Sequence, residues 1–460
     1  MTEGVARMTL PWARALAERV EIEVVTDPDA LMSVSRDQAP LAPGGTAAAF
    51  VRARSIVDVQ RTLAFANEHR IPVVTRGAGT GLAGGANAVD GCIVLSVAAM
   101  DRILSIDAAG RTATVEPGVL NATLARAATE RGLFYAPDPA SREISTIGGN
   151  IATNAGGSCC LKYGVTGDHV AALAVVLADG TLIRTGATTR KNVAGLDLTR
   201  LVIGSEGTLA VVVEATLRLL RAPRPPATLV ASFARLVDAG RAVLAMETVA
   251  DLSLCEIMDR TTVTAVDRMT RMGLDTEAAA LVVVQTDDAD AAAAIDTCAR
   301  ACREAGAKDV MTTGDRDEGV QLLAARRAAL PALEQLGRTL LDDIAVPKSA
   351  LPAMLECIPV IAERHAVVIG TFGHAGDGNL HPTIVFARGD DDAARRAMLA
   401  FDDIVRAALA FGGTITGEHG VGSLKRDYLT AMIGEPERAL MTRVKAAFDP
   451  RGILNPGKAI

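Results

Sequence analysis

The residues best equipped for chemistry lie late in the chain. Only six histidines occur in 460 residues, and His374, His381 and His419 fall within a span of 46, with Glu418 next to the last. The segment GTFGHAGDGNLHPTIVF sets His374 and His381 at the two ends of a glycine turn between strand-like runs, so a hairpin would bring the imidazoles together. The segment TGEHGVGSLKRDYL adds Glu418 and His419, also among glycines. A lone histidine is most often a satisfied structural residue, but glycine neighbours allow a close backbone approach that mere packing does not require. Two imidazoles and a carboxylate suit a divalent ion and leave positions open for substrate oxygens. From spacing alone, a hydrolytic metal site stands open beside a redox one.

A second chemistry is written in glycine. Residues 76–86, RGAGTGLAGGA, place glycines at 77, 79, 81, 84 and 85 directly after a predicted strand, where bare backbone amides can crowd a pyrophosphate. A Rossmann fingerprint needs a helix next, whereas NAVDGCIVLSV continues as a turn and a strand, so an NAD-type fold is rejected. Residues 145–164, STIGGNIATNAGGSCCLKYG, and 203–212, IGSEGTLAVV, mix close-approach glycines with hydroxyl and amide groups. Each alone reads as turn chemistry. Three in one region favour a long, polar cofactor lying across a sheet.

The elements that must position these groups follow from periodicity. VDVQRTLAFANEH reads as a helix and IPVVT as the strand feeding the first glycine loop. ILSIDAAGRTATVEPG and VAALAVVLADGTLIRTG read as hairpins turning at Ala109-Gly110 and Asp179-Gly180. RAPRPPATL, 221–229, breaks the chain with three prolines and marks a boundary. TLVASFARLVDAGRAVLAMETV and ALVVVQTDDADAAAAIDTCARACREAG then each read as strand and helix. The expected division is therefore 1–222, 223–430, and a segment 431–460 whose helix ends at Asp449-Pro450 and whose tail must dock or fray.

Composition narrows the function classes. A formal net charge of −7 argues against a nucleic-acid partner. No apolar run approaches the roughly 20 residues of a membrane span and the N-terminus lacks a signal-peptide layout, so a cytoplasmic protein is expected, with peripheral membrane association and a homodimer both left open. Seven cysteines without a framework fit a reducing compartment; Cys298 and Cys302 read as buried thiols, the adjacent Cys159 and Cys160 do not suit a zinc ribbon, and no C-x-x-C-x-x-C run exists to hold an iron–sulfur cluster.

The three glycine segments, together with PDPAS at 137–141, make the chain resemble vanillyl-alcohol-oxidase-type flavoproteins, in the branch of D-lactate dehydrogenase, glycolate oxidase catalytic subunit and D-2-hydroxyglutarate dehydrogenase. The likeness runs from about residue 38 to the C-terminus. It implies an α+β fold: a PCMH-type FAD-binding domain followed by a ferredoxin-like α+β substrate domain of the FAD-linked oxidase C-terminal kind. It also implies FAD contacts at Arg76, Gly77, Gly79, Thr80, Gly81 and Leu82; at Pro137, Asp138 and Ser141; at Gly148, Gly149, Asn150, Thr153, Asn154, Gly156 and Gly157; at Gly204, Glu206 and Gly207; and at Asn455. Departures are Ala78 and Ala210 at usual glycine positions and SCCLKYG in place of an arginine-containing run. Ala78 is tolerable if its φ is negative. No histidine lies in the first loop, so FAD is expected to be dissociable.

GHAGDGNLH and GEHGVG look like this branch's signatures, which implies His374, His381 and Glu418 as metal ligands and His419 as the base. Zinc is the first expectation, with manganese and iron open. In the implied reaction a D-2-hydroxy acid gives up its hydroxyl proton to His419 and a hydride to flavin N5, giving the 2-oxo acid. Arg326, in LLAARRAALPAL, aligns with the family's substrate arginine, beside Leu323 where a tryptophan is common. Lys348 stands where arginine is usual, and Leu341 occupies the place of a lysine that holds a second carboxylate, which disfavours a dicarboxylic substrate. D-lactate or glycolate is thus expected before D-2-hydroxyglutarate. The electron acceptor is left among quinone, cytochrome, electron-transfer flavoprotein and a separate iron–sulfur subunit. Two other classes stay in view: a metal hydrolase and a catalytically silent flavin-binding subunit.

Overall fold

The computed structural model describes residues 11–460; the first ten residues of the expected 1–222 region lie outside the described residues. The helix expected after Ser55 spans Ile56–His69. The Ser55 side chain accepts from Asp58 N, Arg70 closes the helix in the left-handed region, and Val59, Leu63 and Ala66 form its buried stripe. That stripe packs on a sheet in which Ala49–Arg52, Ile93–Ser96 and Val73–Arg76 run parallel, with Val24–Val25 antiparallel at one edge. The first glycine loop leaves the end of Val73–Arg76 and returns as the neighbouring strand.

Both expected hairpins form and join a second, antiparallel sheet, ordered Ile103–Asp107, Thr112–Val115, Val211–Arg218, Val170–Val176, Leu182–Gly186. Side chains alternate across it. Ala174, Val176, Val211 and Val213 face the parallel sheet and its helix, while Leu173, Val175 and Val212 face Leu124, Ile147 and Ile151. The second glycine segment is not all loop: Ile147–Thr153 is a helix capped by Thr146 and ended by Asn154 at φ 53°.

Residues 222–226 carry no helix or strand. Beyond them, an antiparallel sheet runs in the order Ala307–Thr313, Ala227–Phe233, Ala280–Thr286, Leu254–Asp259, Val368–His374, Asn379–Phe386, Arg338–Leu341, with Ile344–Ala345 also paired to Asn379–Phe386. Its inner strands are apolar on both faces because helices cover both, while the edge strand Ala307–Thr313 is largely exposed. Val282 and Val284 pack under Leu236–Glu247, Ala291–Glu304, Leu351–His365 and Asp391–Ala410. Leu281 and Val283 pack under Arg260–Thr270 and the pair Arg316–Arg327 and Ala329–Glu334. Cys298 and Cys302 are fully buried in the first of these layers.

The tail docks. After the helix Glu435–Phe448, Asn455 N donates to Val73 O and Val73 N to Ile453 O, so the chain's end lies along the strand that feeds the first glycine loop. No helix among the described residues is long and apolar enough to cross a membrane.

Candidate active site

The histidine hairpin is the junction of Val368–His374 and Asn379–Phe386, turned by a single 3-10 turn at Ala375–Asp377. Its register pairs Phe372 with His381, which sets His374 and His381 on one face with ring centroids 5.2 Å apart. Glu418 and His419 arrive on the loop before the helix Arg426–Ile433. Three imidazole nitrogens converge on Glu418 Oε1: His374 Nε2 at 3.2 Å, His381 Nε2 at 3.3 Å and His419 Nε2 at 3.6 Å.

Buried carboxylates stand behind this group. Glu256, 1% exposed, accepts from His374 Nδ1 at 2.6 Å and lies 2.6 Å from Arg326 Nε without hydrogen-bond alignment. Burial pushes the Glu256 carboxyl up, but the charges on His374 and Arg326 outweigh it and hold it at about 2. Burial likewise opposes charge on His374, yet Glu256 and Glu418 raise it well above the ordinary imidazole value. Burial takes His381 down to about 4, which leaves it neutral. Asp138 and Asp377 are also near, each pushed up to about 6 by burial.

The donor set fits a divalent cation. One ligand atom each from His374, His381 and Glu418 lies within 4.8 Å of the others, as does the set Asp343, His381 and His419. Ligands about 2.1 Å from one metal in a tetrahedron sit about 3.4 Å apart, close to the nitrogen-to-Oε1 separations here. His374 donating its second ring nitrogen to a carboxylate is the usual support for a metal-binding imidazole.

Glu418 and His419 line a cleft of about 680 Å³. Gly77, Gly79, Thr80, Gly81 and Leu82 of the first glycine loop line it. So do Ser141, Gly148, Gly149, Asn150 and Thr153 of the second segment, and Glu206 and Gly207 of the third. A Cβ on Gly77 would stand 2.3 Å from Thr146 Oγ1, so that wall admits only glycine without rearrangement. Ala78 is not among the positive-φ residues and strains nothing. Thr75 Oγ1 and Asn150 Nδ2, on cleft-lining residues, are buried with no partner among the described residues, a deficit that a polar ligand would satisfy. The segments thus fit FAD.

The remaining expected cofactor residues hold the cleft's frame. Arg76 folds back beside Gly79 and donates to Arg36 O; Pro137 O accepts from Asn121 Nδ2; Asp138 accepts from Cys159 N. Asn154 Oδ1 accepts from Gly167 N, and Gly204 N donates to Ile151 O at φ 75°. Gly156 packs against Glu418, where a Cβ would meet Oε2 at 2.6 Å, and Gly157 packs against Asp138. Asn455 Nδ2 donates to Gly85 O and Glu206 O, tying the tail to two glycine segments.

Arg326 and Arg327 end the helix Arg316–Arg327, which Asp315 starts by accepting from Asp317 N and Glu318 N. Arg326 is buried, with its guanidinium 4.7 Å over the Phe372 ring, and it does not line the cleft; exposed Arg327 does. Sequence reasoning missed Arg327, Glu256 and Asp343. The available signal was a charge inside an apolar strand, Glu256 in LCEIMD, and the paired acids of LLDDIAV.

Comparison with known proteins agrees with this architecture. Residues 47–186 match the FAD binding domain family, and residues 222–459 match the family FAD linked oxidases, C-terminal domain. The chain is 43% identical over 426 residues to glycolate oxidase subunit GlcD of Bacillus subtilis (strain 168), covering 89% of this chain and 88% of that one. It is 36% identical over 422 residues to a D-lactate dehydrogenase of Anaerostipes hadrus, covering 89% and 88%. Its fold superposes on substrate-bound p-cresol methylhydroxylase with a TM-score of 0.78 at 18% identity, covering 97% of this chain and 96% of that one. The chain belongs to the FAD-linked oxidases, built as an FAD-binding domain joined to the C-terminal domain of that family.

Proposed function

We propose that this chain is a dehydrogenase that oxidises a small D-2-hydroxy acid to the 2-oxo acid, passing two electrons to dissociable FAD. The observation that carries this reading is the convergence of His374, His381 and His419 on Glu418, which with His419 lines the glycine-walled cleft. FAD, when bound, supplies the two-electron acceptor. A divalent cation held by His374, His381 and Glu418, zinc first and manganese or iron next, would supply the charge that favours ionisation of the substrate hydroxyl.

The chain's own residues do the rest. His419 lines the cleft and takes the 2-hydroxyl proton at Nε2. Arg326 is engaged with Glu256, which keeps Glu256 ionised and His374 oriented. In this reading Arg326 turns to the substrate carboxylate only as a ligand enters, and Arg327 meets that carboxylate at the mouth. Leu341 is 8% exposed in an apolar cluster with Phe372, which favours D-lactate or glycolate over D-2-hydroxyglutarate. Turnover would also need an external electron acceptor, a quinone, a cytochrome, an electron-transfer flavoprotein or an iron–sulfur subunit. The three-region division 1–222, 223–430 and 431–460 belongs to the same proposal, the last returning along the flavin side.

Anaerobic mixing of the purified protein with D-lactate, glycolate, D-2-hydroxyglutarate and L-lactate, read by visible flavin absorbance, tests the proposal. Rapid bleaching by D-lactate or glycolate and none by L-lactate is expected. A yellow protein bleached by no 2-hydroxy acid overturns the substrate class, and a protein that stays colourless after FAD is offered overturns the flavin reading.

A further inference from the structure

Asp343 lies in the sharp connection between Arg338–Leu341 and Ile344–Ala345, 1% exposed, and four groups of one loop donate to a single one of its oxygens. Thr416 Oγ1 reaches Oδ2 at 2.6 Å, and Gly417 N, Glu418 N and His419 N each reach it at 2.9 Å. The other oxygen accepts from Asn379 Nδ2 at 2.9 Å, which also holds Ile344 O. Three consecutive amides directed at one carboxylate form an anion nest, and this nest carries Glu418 and His419.

The same carboxylate faces the back edges of two imidazoles. His381 Nδ1 lies 3.6 Å from Oδ1 and has no hydrogen-bond partner among the described residues, and His419 Nδ1 lies 4.0 Å from Oδ2. The rings stack at 5.0 Å and 15°, with both Nε2 atoms turned toward Glu418. A negative charge at the Nδ1 side favours the tautomer with a proton on Nδ1 and a lone pair on Nε2.

We infer that Asp343 is the positioning residue of this centre: one buried carboxylate fixes the loop bearing Glu418 and His419 and directs the Nε2 lone pairs of His381 and His419 toward the cation and the substrate proton. The inference rests on the metal reading of His374, His381 and Glu418. Glu256 serves His374 in the same way, so each ligand histidine has its own buried carboxylate behind it.

The test is D343N, an isosteric change, in the full-length flavoprotein stripped with EDTA. Zinc alone is titrated against a chromophoric chelator, while flavin absorbance and thermal melting are followed in the same samples. The expected result is zinc affinity reduced about 10- to 100-fold, the range typical for loss of a group that orients a metal ligand, with FAD retained. A lowered melting temperature with wild-type zinc affinity overturns the inference, since a purely structural residue would behave so. A wild-type protein that takes up no zinc overturns the metal reading and the Asp343 assignment with it. If D343N does not accumulate folded, T416V, which removes one of the four donors, is read in the same titration: weaker zinc binding than wild type supports the inference and equal binding overturns it.

Discussion

The two halves of the site are made of opposite materials. The cleft wall is backbone: Gly77, Gly79, Gly81, Gly148 and Gly149 offer amides and space, and the lining residues Thr75 and Asn150 each bury an unpartnered polar atom, Oγ1 and Nδ2. The centre beside it is side chain: three imidazoles around Glu418, with Glu256 and Asp343 behind them; Glu256, Asp343, His374 and His381 sit on strands and turns of the sheet that follows residue 226, and Glu418 and His419 on the loop before Arg426–Ile433. A backbone wall tolerates chemical change but not added volume. A side-chain centre tolerates neither lost charge nor lost orientation. Substitutions in the first should therefore weaken a cofactor, and those in the second should stop a reaction or release a metal.

The largest effect is expected at His419. His419→Asn should slow flavin reduction by substrate about 100- to 10,000-fold, the usual worth of a general base, while FAD stays bound; stopped-flow absorbance measures both, and a loss below tenfold would break the contrast. Next, Glu256→Gln should strand Arg326 without its buried partner and cost about 3–5 kcal/mol, read by denaturant unfolding, together with weaker metal retention. Gly77→Ala sharpens the other side. Its Cβ must displace Thr146, so FAD affinity should fall about tenfold by fluorescence titration while EDTA-strippable metal stays at the wild-type level. Equal losses of FAD and metal would mean that the two materials are not separable.

The smallest expected effect sits where the halves meet. Glu206, in the cleft wall, accepts from Val421 N at 2.7 Å and Gly422 N at 2.8 Å and so grips the far end of the loop bearing His419. Burial pushes its carboxyl up to about 7. The folded chain therefore holds this proton more tightly than the unfolded one. The stability that this proton contributes is complete below the ordinary value near 4.5 and is lost as pH rises through 7. Thermal melts from pH 4 to 8 should show that decline in the wild type relative to Glu206→Gln; parallel curves would assign the slope elsewhere.

Local patterns carried much of the architecture. The helix Ile56–His69 shows its cap and its apolar stripe, both hairpins show their turns, and the proline break coincides with a stretch free of helix and strand. The convergence of His374 and His381 followed from a turn between two strands, because a hairpin fixes which side chains share a face. What stayed hidden depends on distance along the chain. Glu256 meets His374 across 118 residues, and Asp343 meets His419 across 76. A buried charge announces that it has a partner but not which one. The helix Ile147–Thr153 was concealed for another reason: its two glycines and its threonine read as turn chemistry, and tertiary packing of Ile147 and Ile151 overrides that preference.

The need for a cation at Glu418 is decided by flavin bleaching with D-lactate or glycolate under anaerobic conditions in three samples of one preparation: untreated, EDTA-treated, and EDTA-treated with zinc restored. Fast bleaching, little bleaching and recovery are expected in that order, with FAD bound throughout. Unchanged bleaching after verified removal of metal would contradict that need, since the convergence on Glu418 would then serve no cation.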